Sequence, residues 1–477
     1  MSRDRTSWGC LPPEIRNEIV GLLPVLGGRC SLLATVARDW QSIVEPLNFA
    51  EISLTIRYIW FRVELKQYDC SQCANTDRGR WGLDNIDNQF IADAFESLFT
   101  ILSVWEPRGD LVLDISVYSP SDNQHWFKYL SFCSDANLGE CSSRRGHDQE
   151  TTLINDPAHG WVAGQQVLAP EEHAVEKTFD EIMGEGPFDD EEPEMRWWRS
   201  LPFVPVVGVV LLRQQTRRRW KPVALANMLT RFPNMNELWY EPWREWTGIE
   251  MQTDKRNQTL IESFSRTKLC KLTIFENFNE SYPERYYQCP AIRVPDPAVS
   301  RKLARASLYL TTLSASFMAD AGYFFAARQE SWTWDKLTSL ALTSRLLTDD
   351  ADTSDINNML RDAAVAALEM PRLNRMELWN GRRGVAMLFR YQRARDGQSA
   401  VITVRGTWEL ALGIAATRAW DVVARRHCHG RVVVQTSLID PDVVRCHGDA
   451  IRRLGLSAEV VRPVSLRQIL SEHRFRL

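Results

Sequence analysis

No stretch of this chain is both long and apolar enough to cross a bilayer. The longest apolar run, Leu201 to Leu212, is broken by Pro202 and Pro205. It falls short of the roughly 20 residues a spanning helix needs, so it reads as a buried strand. The opening, Met1 to Trp8, is polar and charged and has no secretory apolar core. That absence makes the ten cysteines reduced thiols by expectation, in the cytoplasm or the nucleus. Charge of one sign is also missing. The 57 basic and 61 acidic residues leave a net charge of −4, which gives no global pull toward nucleic acid or anionic membrane. There is no glycine-rich phosphate loop, no nucleophile elbow and no His-Glu-x-x-His pair. The expectation is therefore a chain without catalysis or cofactor, with an enzyme built on a dispersed site as a remaining alternative.

Apolar residues make up 44% of the chain and charged residues 25%, a balance that supports a large soluble core. The 18 tryptophans exceed what a core of this size needs and point to surfaces that bind other proteins. The opening fifty residues form a pattern of their own. Pro12 and Pro13 suit a helix start, where backbone donors lack partners anyway. Leu11, Ile15, Ile19 and Leu22 follow on one helical face, and Pro24, Gly27 and Gly28 end the helix. A second apolar stretch runs from Ser31 through Leu32, Leu33, Val36 and Trp40 to Val44. A module of this size buries little surface alone.

The order Leu-Pro-x-Glu-Ile, apolar helix, Leu-Leu pair, then Val-x-Arg-x-Trp resembles an F-box. More closely, it resembles the F-box opening of a large group of filamentous-fungal proteins. Tyr68-Asp69-Cys70-Ser71-Gln72-Cys73, Val117 to Asp122, Tyr240 to Trp243 and Met376 to Gly381 are similar to segments of that group. The resemblance implies a three-helix module over residues 1–50 that docks on the Skp subunit of a cullin–RING ubiquitin ligase. It would dock through Leu11, Pro12, Ile15, Ile19, Leu32, Leu33, Val36 and Trp40. Each of these serves equally well as internal packing of the three helices.

Beyond the module, residues 51–133 read as strand, helix, strand, with a first strand at Glu51 to Thr55 and another at Leu111 to Ile115. Residues 134–198 lose apolar periodicity. Eleven acidic residues and one lysine lie between Glu171 and Glu194, which predicts an exposed, partly disordered insertion. From residue 199 to 384 an apolar-x-x-apolar-x-apolar unit recurs. It appears at Met235/Leu238/Tyr240, Leu269/Leu272/Ile274, Leu310/Leu313/Ala315, Leu337/Leu340/Leu342 and Leu373/Met376/Leu378. This is the strand unit of a leucine-rich repeat, here irregularly spaced. An ordinary α/β domain with buried strands is the alternative. Residues 385–477 read as a hairpin, helix, strand and helix that cap the array. The predicted fold class is α/β: a three-helix F-box-like module, an irregular leucine-rich-repeat-like array and a C-terminal α/β cap.

Two features could carry chemistry. Cys70-x-x-Cys73 has the spacing of two zinc ligands. Its completion would need His427-Cys428-His429 with Cys446-His447, or Cys133 and Cys141. Buried thiols without metal are the expectation, and zinc at Cys70 and Cys73 is the alternative. The basic run Arg217-Arg218-Arg219-Trp220-Lys221 reads as the intramolecular partner of the acidic insertion rather than as a nucleic-acid patch. Trp239, Trp243, Trp246 and Trp379 sit at or just after strand ends, where they line either a target site or the core. Together these features predict a ligase adaptor that binds Skp and cullin at one end and an unidentified target protein through the repeats. A non-ligase scaffold whose module only caps the array is the alternative.

Overall fold

The computed structural model describes residues 8, 11–22, 40, 56–74, 83–133, 135, 154–184, 186–245, 249–280, 282, 290, 292–394, 399–428 and 430–474. The chain divides into two compact units, Met1–Arg57 and Tyr58–Leu477. In the first, the described residues show one long helix, α1 (Pro13–Leu22). It opens where the proline pair predicts. The expected second and third helices, and the strand expected at residues 51–55, lie outside the described residues apart from Trp40.

In the second unit, strand β1 (Tyr58–Glu64) is followed by α2 (Asn85–Ser103) and β2 (Leu111–Tyr118). A two-stranded hairpin, β3 (Trp161–Val162) with β4 (Gln165–Gln166), precedes α3 (Glu172–Phe179) and α4 (Glu191–Ser200). Strands and helices then alternate: β5 (Val207–Leu212), α5 (Pro222–Leu229), β6 (Glu237–Tyr240), α6 (Glu250–Ser263), β7 (Lys271–Phe275), α7 (Pro297–Ala306), β8 (Thr312–Ser316), α8 (Ala321–Ala326), β9 (Ser339–Thr343), α9 (Thr353–Ala367) and β10 (Arg375–Arg382). The chain ends with β11 (Val385–Gln392), β12 (Ala400–Gly406), α10 (Ile414–Cys428), β13 (Val432–Leu438), α11 (His447–Leu454) and α12 (Pro463–Arg474). All strands except β3 and β4 form one 11-stranded sheet whose spatial order is the chain order. Pairing is parallel from β1 to β10, antiparallel at β10–β11 and β11–β12, and parallel again at β12–β13.

The recurring apolar unit sets this register. Leu238, Leu272, Leu313, Leu340 and Met376 stand side by side on adjacent strands, and Tyr240, Ile274, Ala315, Leu342 and Leu378 form the next row on the same face. The leading residues Met235, Leu269, Leu310, Leu337 and Leu373 are buried in the same core. Side chains two apart on a strand share a face, so the second and third positions of each unit point at the helical layer. Residues from α2, α5, α6, α7, α9 and α10 fill that core.

The acidic stretch is folded from residue 154 onward, which corrects the predicted disorder there. The basic run meets it at one ion pair and otherwise pairs with acids elsewhere in the chain. Lys221 Nζ lies 2.8 Å from Glu194, Arg219 pairs with Glu245, and a backbone bridge joins Glu181 to Arg219. Trp161, Val175, Phe179 and Trp198 anchor the segment in the interior. Counting acids missed this because the segment is held by a few scattered apolar residues that show no period in the sequence.

Candidate functional site

The opposite face of the sheet is where a repeat receptor would expose its binding residues. Here the chain's own C-terminal segment covers much of it. Val444, Cys446, Ala450, Ile451 and Leu454 of the α11 region pack on Phe275, Ala341, Trp379 and Leu388 of the strands. Further on, the Thr273 hydroxyl donates to the Glu459 carbonyl at 3.1 Å, and the Arg462 guanidinium lies 4.8 Å from the centre of the Trp239 ring. On α12, Glu472 pairs with Arg217 at 2.8 Å and accepts from Tyr129 at 3.2 Å. Glu241, just after β6, accepts the Arg462 N–H at 2.9 Å and the Ser465 hydroxyl. Burial pushes the Glu241 carboxyl up to about 7.

Three of the tryptophans assigned to target binding are buried. Trp379 is fully buried, packed edge-to-face on Phe317. Trp239 and Trp243 are buried as well, and the Trp243 indole donates to the Gln214 carbonyl at 3.0 Å. These three are core residues, and Trp246 lies outside the described residues. The basic run is interior too, with Arg217 and Arg218 almost wholly buried and Arg218 3.2 Å from Asp122.

An open cavity of about 750 Å³ remains at the carboxyl ends of β7 to β10. Its lining combines apolar Phe278, Phe317 and Leu346 with the cations Arg345, Arg382 and Arg383 and the acids Glu280 and Asp350. Those three arginines form no salt bridge among the described residues. The crevice beyond the carboxyl ends of parallel strands is the common ligand position in open α/β sheets. Two charged groups in its wall are already committed. Asp320 accepts the N–H groups of Gly322 and Arg345, each at 2.8 Å, and burial pushes its carboxyl up. Arg293 is clamped by Asp254 at 2.7 Å and Glu276 at 2.6 Å. No sequence pattern points to this cavity, because its lining comes from widely separated parts of the chain.

Of the residues assigned to Skp docking, Pro12, Ile15 and Ile19 are exposed, Leu11 and Trp40 are half-buried, and Leu32, Leu33 and Val36 lie outside the described residues. On α1, Ile15 is 43% exposed, Ile19 38% and Leu22 53%.

Cys70 and Cys73 lie on the turn after β1. Two histidines that sequence reasoning did not select, His125 and His159, approach them. The proposed completing residues are elsewhere. His427 bonds the Ala367 carbonyl at 3.0 Å, and His447 bonds Asn277 at 2.7 Å between Phe275 and Phe278.

Residues 263–462 are similar to a family described only as "Family of unknown function (DUF6546)". That stretch runs from the end of α6 to just before α12 and includes most of the cavity wall. No curated protein and no solved structure matches the chain.

Proposed function

We propose that this chain is a substrate-recognition adaptor of a Skp–cullin–RING ubiquitin ligase, with α1 at the Skp interface and a leucine-rich-repeat-like array as receptor. The observation that carries the reading is α1 itself. It starts at a proline pair and leaves Ile15, Ile19 and Leu22 exposed along one side, a spacing of four and three that lines up apolar anchors for a partner. The F-box resemblance of the same residues supplies the partner. The array supports the receptor half, since each parallel strand from β5 to β9 is followed by a helix and takes its place in chain order. Because the C-terminal segment occupies the sheet face, the target enters at the carboxyl-end cavity. Its apolar lining and the exposed Arg345 and Arg383 fit a short apolar segment carrying an acidic residue. The adaptor does no bond chemistry and raises the local concentration of target lysines at the conjugating enzyme.

A cavity of this volume falls within the range of small-molecule sites, so an enzyme is the second reading. The commitment of Asp320 and Arg293 to structural bonds weighs against it. Two double variants separate the halves. Ile15→Asp with Ile19→Asp is expected to remove Skp and cullin from a pull-down without changing the melting temperature. Losing a central apolar anchor costs about 2 kcal/mol or more, roughly thirtyfold in affinity. Arg345→Glu with Arg383→Glu is expected to keep Skp and lose target. Unchanged Skp recovery with the first variant would sink the adaptor reading and leave a scaffold. Turnover of a small molecule by the purified chain would favour the enzyme.

A further inference from the structure

We infer that Cys70, Cys73, His125 and His159 form a structural zinc site that ties the start of the sheet to the segment after residue 154. The four residues come from three separate places. Cys70 and Cys73 sit on the turn after β1. His125 follows the short 3-10 turn Pro120–Asn123 beyond β2, and His159 ends a second such turn, Pro157–His159, just before β3. Nothing in the backbone path requires these side chains to converge. Yet one ligand atom from each lies within 4.8 Å of every other.

The distances fit one tetrahedral ion. Zinc–sulfur bonds of about 2.3 Å and zinc–nitrogen bonds of about 2.0 Å place neighbouring sulfur and nitrogen ligands about 3.5 Å apart. The Cys70 sulfur lies 3.3 Å and the Cys73 sulfur 3.4 Å from Nε2 of His159.

The imidazoles are oriented for it. Nδ1 of His159 lies 2.7 Å from Oδ2 of the Asp156 carboxylate, and Lys128 Nζ lies 2.9 Å from the same oxygen. A carboxylate on one ring nitrogen fixes the tautomer and turns the other lone pair toward a metal. The His125 ring meets the Tyr68 backbone, while its buried Nε2 has no hydrogen-bond partner among the described residues. A buried ring nitrogen without a partner is costly unless something not yet counted satisfies it.

The cysteine turn is also preformed. Asp69 accepts the Ser71 N–H at 2.9 Å, and the Gln72 N–H donates to the Asp69 carbonyl at 3.0 Å.

The charge balance agrees with partial burial. Binding displaces one proton from each thiol, so Zn²⁺ with two thiolates and two neutral imidazoles is a neutral unit. A neutral unit avoids the desolvation cost of a bare ion beside Trp126, whose ring stands 5.7 Å from that of His159. Two sulfurs and two nitrogens in tetrahedral array select zinc over magnesium, calcium or manganese, which prefer oxygen ligands. All four positions are filled by protein, so the site is closed and structural, with no place for a reacting water.

The test uses the full chain purified without chelator. Elemental analysis is expected to give about one zinc per chain, and Cys70→Ser and His125→Ala should each reduce it below about a tenth. Asp156→Asn should retain the site but weaken zinc affinity by about 10–100-fold, measured by competition with a chromogenic chelator. Because a lost structural metal can also unfold the chain, the wild type carries an independent measurement. Its zinc is exchanged for cobalt, and the visible spectrum should show tetrahedral ligand-field bands with thiolate-to-cobalt charge transfer. A metal-free protein that stays folded, or one whose mass shows two hydrogens lost to a Cys70–Cys73 disulfide, overturns the inference. So does a cobalt spectrum without charge transfer.

Discussion

Glu241 joins two distant parts of the chain. Its buried carboxyl receives N–H and O–H groups from Arg462 and Ser465, which belong to the C-terminal segment. Burial raises its pKa from 4.5 to about 7. Between those values the folded chain keeps a proton that the unfolded chain has released. Stability from this group is therefore full below about pH 4.5 and falls as pH rises toward 7, then levels off. At 1.36 kcal/mol per pKa unit the swing is about 3 kcal/mol. His447, on α11, works in the opposite sense. Burial lowers its pKa well below 6.5, so the fold loses stability as pH falls below the unfolded value. A single pH profile of the wild type mixes the two. Glu241→Gln keeps the acceptor oxygen and cannot ionise. The variant is expected to be more stable than wild type at about pH 8 and to lose that advantage at about pH 5, in paired denaturant titrations. A constant difference at both pH values would show that the carboxyl does not titrate in this range.

Docking of α11 on the sheet depends on a missing side chain. A Cβ at Gly381 would come within 2.5 Å of the Ala450 Cβ and 3.3 Å of the Trp379 ring. Gly381→Ala is therefore expected to lower stability by about 1–3 kcal/mol through overpacking, read as a lower melting temperature. A compensating Ala450→Gly should restore part of it. This contact also marks where sequence reading stopped. The inward rows of the sheet were legible because Leu-x-x-Leu-x-Leu repeats locally, and each unit can be aligned with the next from residue types and spacing alone. The helix around α2, the β11–β12 pairing, the helix at α10 and the strand at β13 were legible from other local signals, such as helical spacing from Phe90 to Trp105 and the Asp396-Gly397 turn signal. The cover on the other face was not, since it depends on α11 and the segment after it meeting strands far earlier in the chain, Ala450 at Gly381 and Glu459 at Thr273. A signal was present. Met387-Leu388-Phe389 is apolar at consecutive positions, which on a strand requires burial on both faces. Trp379 beside Leu378 says the same. The Cys/His cluster was half legible. Cys-x-x-Cys has its own spacing, whereas His125 and His159 are isolated in sequence and gain meaning only through the turns that carry them.

An array whose strands meet only their neighbours should unfold piecemeal, because each interface contributes separately. The C-terminal segment changes that for residues 58–474. Glu472 reaches Arg217 and Tyr129, Gln468 accepts the Ser131 N–H at 3.1 Å, and Glu459 pairs with Arg375 at 2.9 Å. One short stretch therefore bonds the early, middle and late strands together, and losing any part of the array releases some of its bonds. The compact unit that contains all of these residues begins at Tyr58. A chain lacking residues 1–57 is therefore expected to melt in a single transition within a few degrees of the full chain. Removing residues 440–477 from that shortened chain is expected to expose Phe275, Trp379 and Leu388 and to leave Glu241 and Arg217 without their partners. Breaking a buried pair such as Arg217 and Glu472 costs about 3–5 kcal/mol by itself. The melt should move to lower temperature and broaden, with calorimetric enthalpy exceeding the van't Hoff value as independent segments appear. A sharp transition retained after removal of residues 440–477 would mean that the sheet and its helical layer supply the cooperativity without the segment that crosses them.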